Sequence, residues 1–175
     1  VDPNLVFSTF SKLIPSHLLT GVDIVYVGQF DVFKKKQTNA VFQDGAIYVS
    51  NEQDSNQDMI DDIIHELAHS VEEKFTQFIY DGNSLKNEFV GKRKRLYDIL
   101  NSYDYQPPLS IRTAYHYDEK IDMYFYKEVG YEAMWNLVNG LFPSPYSATA
   151  IREYFAIGFE YYFMGEKSTI KDMCP

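Results

Sequence analysis

At 175 residues, with 45% hydrophobic and 17% aromatic side chains, the chain has the length and apolar content of a single folded domain, and a disordered segment is excluded. Its 16 Lys and Arg against 25 Asp and Glu leave a formal charge of −9, which repels nucleic-acid phosphates and anionic membranes and argues against either as a partner. The one cysteine, Cys174, permits no intramolecular disulfide and no cysteine-based zinc site, and it leaves the redox compartment open.

No stretch approaches the ~18 continuous apolar residues of a membrane helix, and no signal peptide is recognisable. A start at Val1 rather than Met is expected of a processed form or an excised piece. No repeat or linker divides the chain, so one domain over 1–175 is expected, of α+β class, with a small N-terminal sheet followed by helices.

In chain order, "VDIVYVGQF" at 22–30 is rich in β-branched and aromatic residues and predicts a strand. The basic runs Lys34 to Lys36 and Lys92 to Arg95 read as solvated faces rather than binding patches. "AVFQDGAIYVS" at 40–50 predicts a hairpin, because Asp44-Gly45 favours a two-residue turn between apolar runs. If the strand ending at Ser50 is the sheet edge beside the cleft, its backbone can pair with an extended substrate.

A helix is predicted from about 55 to 80, with acidic residues in its first turn suiting the positive end of the dipole. At 100° per residue, Ile60, Ile63, Ile64, Leu67, Val71, Phe75 and Phe78 form one apolar stripe, and His65 and His69 point away from it. Further helices are predicted over 85–103, 119–140 and about 147–165, and the two prolines of "YQPPLSIR" make 105–112 an extended connection. Tyr124, Phe125 and Tyr126 read as core, and His17 and His116 as hydrogen-bonded structural histidines.

The chemistry lies in "IIHELAHSV", where His65, Glu66 and His69 form an HExxH motif. Residues four apart share a helix face, so both imidazoles can ligate one zinc ion, while Glu66 stands where it can take a proton from an activated water. A catalytic zinc needs a third protein ligand. The metzincin continuation is excluded, since Glu72 and Phe75 occupy the places of its Gly and His. Glu88, Glu132, Glu153 and Glu160 are the downstream candidates. Glu88 lies in an Asn-Glu pair that resembles thermolysin-like enzymes, although Lys92 stands where their later aspartate would be.

"SPYSATAIREYFAIGFEYYF" at 144–163 carries a further likeness. HExxH followed by a helix with "EYFA", and a tyrosine seven residues before its glutamate, resembles the gluzincin family of the anthrax lethal factor catalytic domain and the Pro-Pro endopeptidases. The resemblance covers 65–69 and about 146–156, and more weakly "DGAIYVS". It implies a zincin-like fold, Glu153 as third zinc ligand, and Tyr146 as the phenol that meets the oxyanion. It departs from the family at Ile157, where a supporting glutamate often stands; Glu160, two turns after Glu153, is the residue placed to take part of that role.

The implied activity is hydrolysis of a peptide or protein substrate with one zinc per chain, by an endopeptidase in a secreted or toxin-effector setting. Two other readings stay open: a toxin-like or inactive domain that keeps the fold for binding, and a zinc amidase or deacylase acting on a non-peptide amide.

Overall fold

A computed structural model describes residues 1–165 and 167–174. The chain divides into two compact units, Val1–Thr76 with Phe159–Glu166, and Gln77–Gly158 with Lys167–Pro175. The class is α+β.

The first unit opens with α1, Pro3–Leu13, a helix absent from the expectations above. Its signal is local: Asp2 caps the backbone N–H groups of Asn4 and Leu5 at 2.9 and 3.4 Å, and Pro3 occupies the first turn, where its missing N–H costs nothing. After a 3-10 turn at Ser16–Gly21 come β1, Ile24–Gly28, and α2, Asp31–Lys36, whose three lysines are exposed as expected. A Cβ at Gly21 would meet the Ser70 hydroxyl at 2.3 Å, so a larger residue there would have to displace that side chain.

Strands β2, Ala40–Gln43, and β3, Ala46–Ser50, form the predicted hairpin. Asp44 and Gly45 both take positive φ, 51° and 77°, as a type I′ turn demands. The sheet order is β1-β3-β2, with β1 parallel and β2 antiparallel to β3. The strand ending at Ser50 is therefore the central strand, not the edge. Both sides of its backbone are already paired, which fits its burial, and no substrate strand can be added to it.

Helix α3, Asn56–Ile79, follows directly. Ile60, Ile63, Ile64, Leu67 and Val71 are buried, as the stripe predicts. The stripe fails at its end: Phe75 has non-helical angles (φ −108°, ψ 19°), the 100° phase is lost there, and Phe78 is 83% exposed.

The second unit begins with the last turn of α3 and holds α4, Ser84–Ser102, as predicted. Its core includes Phe89, Leu96, Leu100, Ile111, Ile121, Phe125, Met134, Phe142 and Tyr154. The expected single helix over 119–140 is instead three pieces. α5, Glu119–Met123, runs into a π-helical stretch at Tyr124–Val129, and α6, Tyr131–Val138, starts afresh. Gly130 makes the break, with φ 82° and ψ 136°, while its N–H reaches back to the Phe125 carbonyl at 2.9 Å. Of the three aromatics expected in the core, Phe125 is fully buried, Tyr124 partly so, and Tyr126 exposed.

The run Lys92 to Arg95 departs from its expected solvated face, because Arg93 is 0% exposed. Burial pushes its guanidinium down to about 10, with the Asp118 carboxylate pulling it back, so it stays charged at neutral pH. His17 and His116 are exposed rather than structural, and His116 lies against the Tyr115 ring. Helix α7, Ile151–Met164, starts later than predicted, because 146–148 form a separate 3-10 turn. α8, Lys167–Met173, closes the described chain. No helix among the described residues is long and apolar enough to cross a membrane.

Candidate metal centre

In the first unit the motif residues lie in the middle of α3, where the buried stripe on the opposite face fixes the helix. The His65 and His69 rings are 5.0 Å apart at 83°, one turn from each other on the same face. Each Nδ1 has a carboxylate beside it: Glu160 Oε2 lies 3.4 Å from His65, and Glu72 Oε2 lies 3.5 Å from His69. Glu160 reaches His65 from the end of α7 that belongs to this unit, whereas Glu72 is three residues along α3 from its histidine.

Glu66 is 9% exposed, and its Oε2 accepts the Phe42 N–H at 2.6 Å. The hairpin register explains why that N–H is available. Ser50 donates to the Asn39 carbonyl, so the pairs bonded across the ladder are the odd residues of β2, and Phe42 turns its backbone N–H to the outer edge. Thr38 occupies the same edge further back, with its hydroxyl bonded to the Ala40 carbonyl at 2.9 Å.

The surroundings are strongly acidic. Asp61 is pushed up to about 6, chiefly by burial and next by Glu160. Asp62 is raised by burial first, against the stabilising Gln53 amide bonded to it at 2.7 Å. Carboxylates held in this way are costly to ionise together, and a dication relieves that cost.

In the second unit, Tyr146 opens the 3-10 turn Tyr146–Ala148 and is 43% exposed. The turn is tightly tied. Thr149 donates to the Tyr146 carbonyl from both N–H (3.0 Å) and Oγ1 (2.7 Å), and Ser144 and Ser147 exchange bonds through backbone and side chain. Ile151 donates its N–H to the Tyr115 carbonyl at 2.8 Å as α7 begins. Glu153 follows in the first turn of α7. Glu88, the alternative ligand, is engaged elsewhere: its carboxylate accepts the Tyr154 hydroxyl and lies 3.5 Å from Lys92 Nζ.

Ligand atoms of His65, His69 and Glu153 all lie within 4.8 Å of one another, and no other group of three or more such donors occurs among the described residues. Two imidazole nitrogens and one carboxylate oxygen are a donor set suited to zinc, and carboxylates beside both Nδ1 atoms suit Nε2 as the ligating atom of each ring. The residues present therefore fit the ion.

Sequence reasoning missed the Glu72 contact and the Phe42 N–H. Glu72 carried a signal, since i and i+3 are neighbours on a helix, but Phe42 carried none, because a backbone donor is silent in sequence. Glu160 is legible by phase: seven residues advance 700°, within 20° of Glu153, whereas Ile157, 6% exposed, is 40° from Glu153. Comparison with protein-family models, curated proteins and solved structures gave no match.

Proposed function

We propose that the chain is a zinc-dependent peptidase of gluzincin type, with a zincin-like fold, acting as an endopeptidase on peptides or proteins. The observation that carries this reading is the convergence of His65, His69 and Glu153, with the buried Glu66 adjoining the first of them. These three residues would hold one zinc per chain. When bound, zinc supplies Lewis acidity, which makes a water nucleophilic near neutral pH and polarises a scissile carbonyl.

The chain's own groups do the rest. Glu66 is oriented through Oε2 by the Phe42 N–H, a charge-assisted bond, so Oε1 is the atom that takes the proton of the attacking water. The same carboxylate returns that proton to the leaving amine. The Tyr146 phenol donates to the oxyanion that develops on the carbonyl. Glu160 and Glu72 hold the two imidazoles in one tautomer and orientation.

Glu66→Gln tests this directly. It should keep zinc while cleavage of a mixed peptide library falls by about 10²–10⁴-fold, and a chelator should silence the parent. Equal cleavage by parent and variant would remove Glu66 from the chemistry. A parent that binds zinc and cuts no peptide would instead be a binding domain or an amidase of non-peptide substrates.

A further inference from the structure

Arg93 is a buried cation with no carboxylate in its hydrogen-bond shell. Nε donates to the Ile111 carbonyl at 3.1 Å, and Nη1 donates to the Ala148 carbonyl and to the Thr149 carbonyl at 3.2 Å. Nη2 is buried without a partner. The Phe89 and Phe125 rings flank the guanidinium at 5.4 and 5.7 Å and fix its plane.

Such an arrangement opposes folding on its own terms. A charge taken out of water is costly when its nearest compensation, the Asp118 carboxylate, acts from outside hydrogen-bond reach, and the carbonyls it bonds lie just before the N-terminus of α7. Core packing alone does not call for an arginine at this position; the carbonyls at the ends of the Leu109–Arg112 and Tyr146–Ala148 turns do. What the guanidinium does is tie the Ile111 carbonyl, through Nε, to the two successive carbonyls of Ala148 and Thr149, through Nη1. Ala148 and Thr149 are the residues that close the turn on Tyr146, whose carbonyl Thr149 holds twice.

We propose that Arg93 is a positioning residue for Tyr146, fixing from beneath the turn that presents the phenol. The inference rests on the peptidase reading, in which Tyr146 meets the oxyanion. Misplacement of such a donor by about 1 Å costs up to ~10²-fold in rate, so a rigid anchor under a half-exposed tyrosine has a use that packing alone does not.

The test compares four zinc-loaded proteins: parent, Arg93→Lys, Tyr146→Phe and the double variant. A lysine keeps the charge but has one nitrogen in place of Nε and Nη1, so it cannot tie the Ile111 carbonyl to the Ala148–Thr149 pair in the same planar geometry. Arg93→Lys should lower kcat on a library-derived peptide by about tenfold or more, and in the Tyr146→Phe background the same change should cost less than about twofold. Zinc content should stay at one per chain throughout. Amide exchange across 144–149 should rise in Arg93→Lys while that of 60–70 is unchanged.

Additive losses in kcat, or exchange that rises everywhere or nowhere, would overturn the proposal. If the parent cleaves no peptide, the peptidase reading fails, and the exchange measurement alone decides whether Arg93 holds the turn. Should Arg93→Lys not fold, NMR of the unmodified protein serves: a pinned guanidinium gives resolved, slowly rotating Nη–H signals, and fast rotation would refute the anchor.

Discussion

At the scale of single residues, the histidines are only as good as the groups behind them. Glu160 stands 3.4 Å from His65 Nδ1, and carboxylates in that position sharpen ligand orientation and basicity. Glu160→Gln should therefore weaken zinc affinity by about 10–100-fold without unfolding the chain, as read by competition with a chromophoric chelator. An unchanged affinity would make the contact incidental.

Asp61 gives a pH signature in the zinc-free protein. Its folded carboxyl is raised from 3.8 to about 6, so the folded state retains a proton that the unfolded chain releases. Its contribution to stability is fully present below the unfolded value and is lost as pH rises through about 6. Asp61→Asn, which still accepts from the Gln57 amide at 3.0 Å, should melt above the parent at about pH 8 and with it at about pH 4. A shift of equal size at both pH values would contradict the assignment.

Among the elements, local signals were legible and non-local ones were not. The hairpin was readable because Asp44-Gly45 demands its own turn, and α3 because a buried stripe and a polar face repeat over several turns. Sheet order was not, since nothing local distinguishes a central strand from an edge, and the edge position that substrate pairing on β3 requires is not the one it occupies. The break at Gly130 carries only a weak signal, a lone glycine within a helical pattern. Its φ of 82° strains any other residue, and among the described residues no atom beyond its chain neighbours lies within 4 Å of an added Cβ. Gly130→Ala should thus cost about 1–3 kcal/mol through the backbone alone, measured by urea unfolding. A neutral substitution would mean that the break does not depend on glycine.

For the whole molecule, the three donors were legible by different routes. His65 and His69 follow from spacing on one helix, whereas Glu153, 84 residues further on, came only from the likeness of "EYFA" to a family. The buried Arg93 was invisible, because one arginine within "KRKR" has no pattern to mark it. Zinc that binds the folded state alone stabilises it by about 2.7 kcal/mol at a hundredfold excess over Kd, which raises Tm by roughly 5–10 °C in a chain of this size. Calorimetry with and without zinc reads that shift, and its absence would deny a preformed site.

The central claim is that His65, His69 and Glu153 hold one zinc ion. Its most direct measurement is a zinc titration of the metal-free parent beside Glu153→Ala and Glu88→Ala, with folding checked by circular dichroism. The account predicts one zinc per chain in the parent and in Glu88→Ala, and an affinity in Glu153→Ala lower by more than the ~10–100-fold cost of losing an outer carboxylate. Parent-like affinity in Glu153→Ala, with the loss falling on Glu88→Ala, would contradict it.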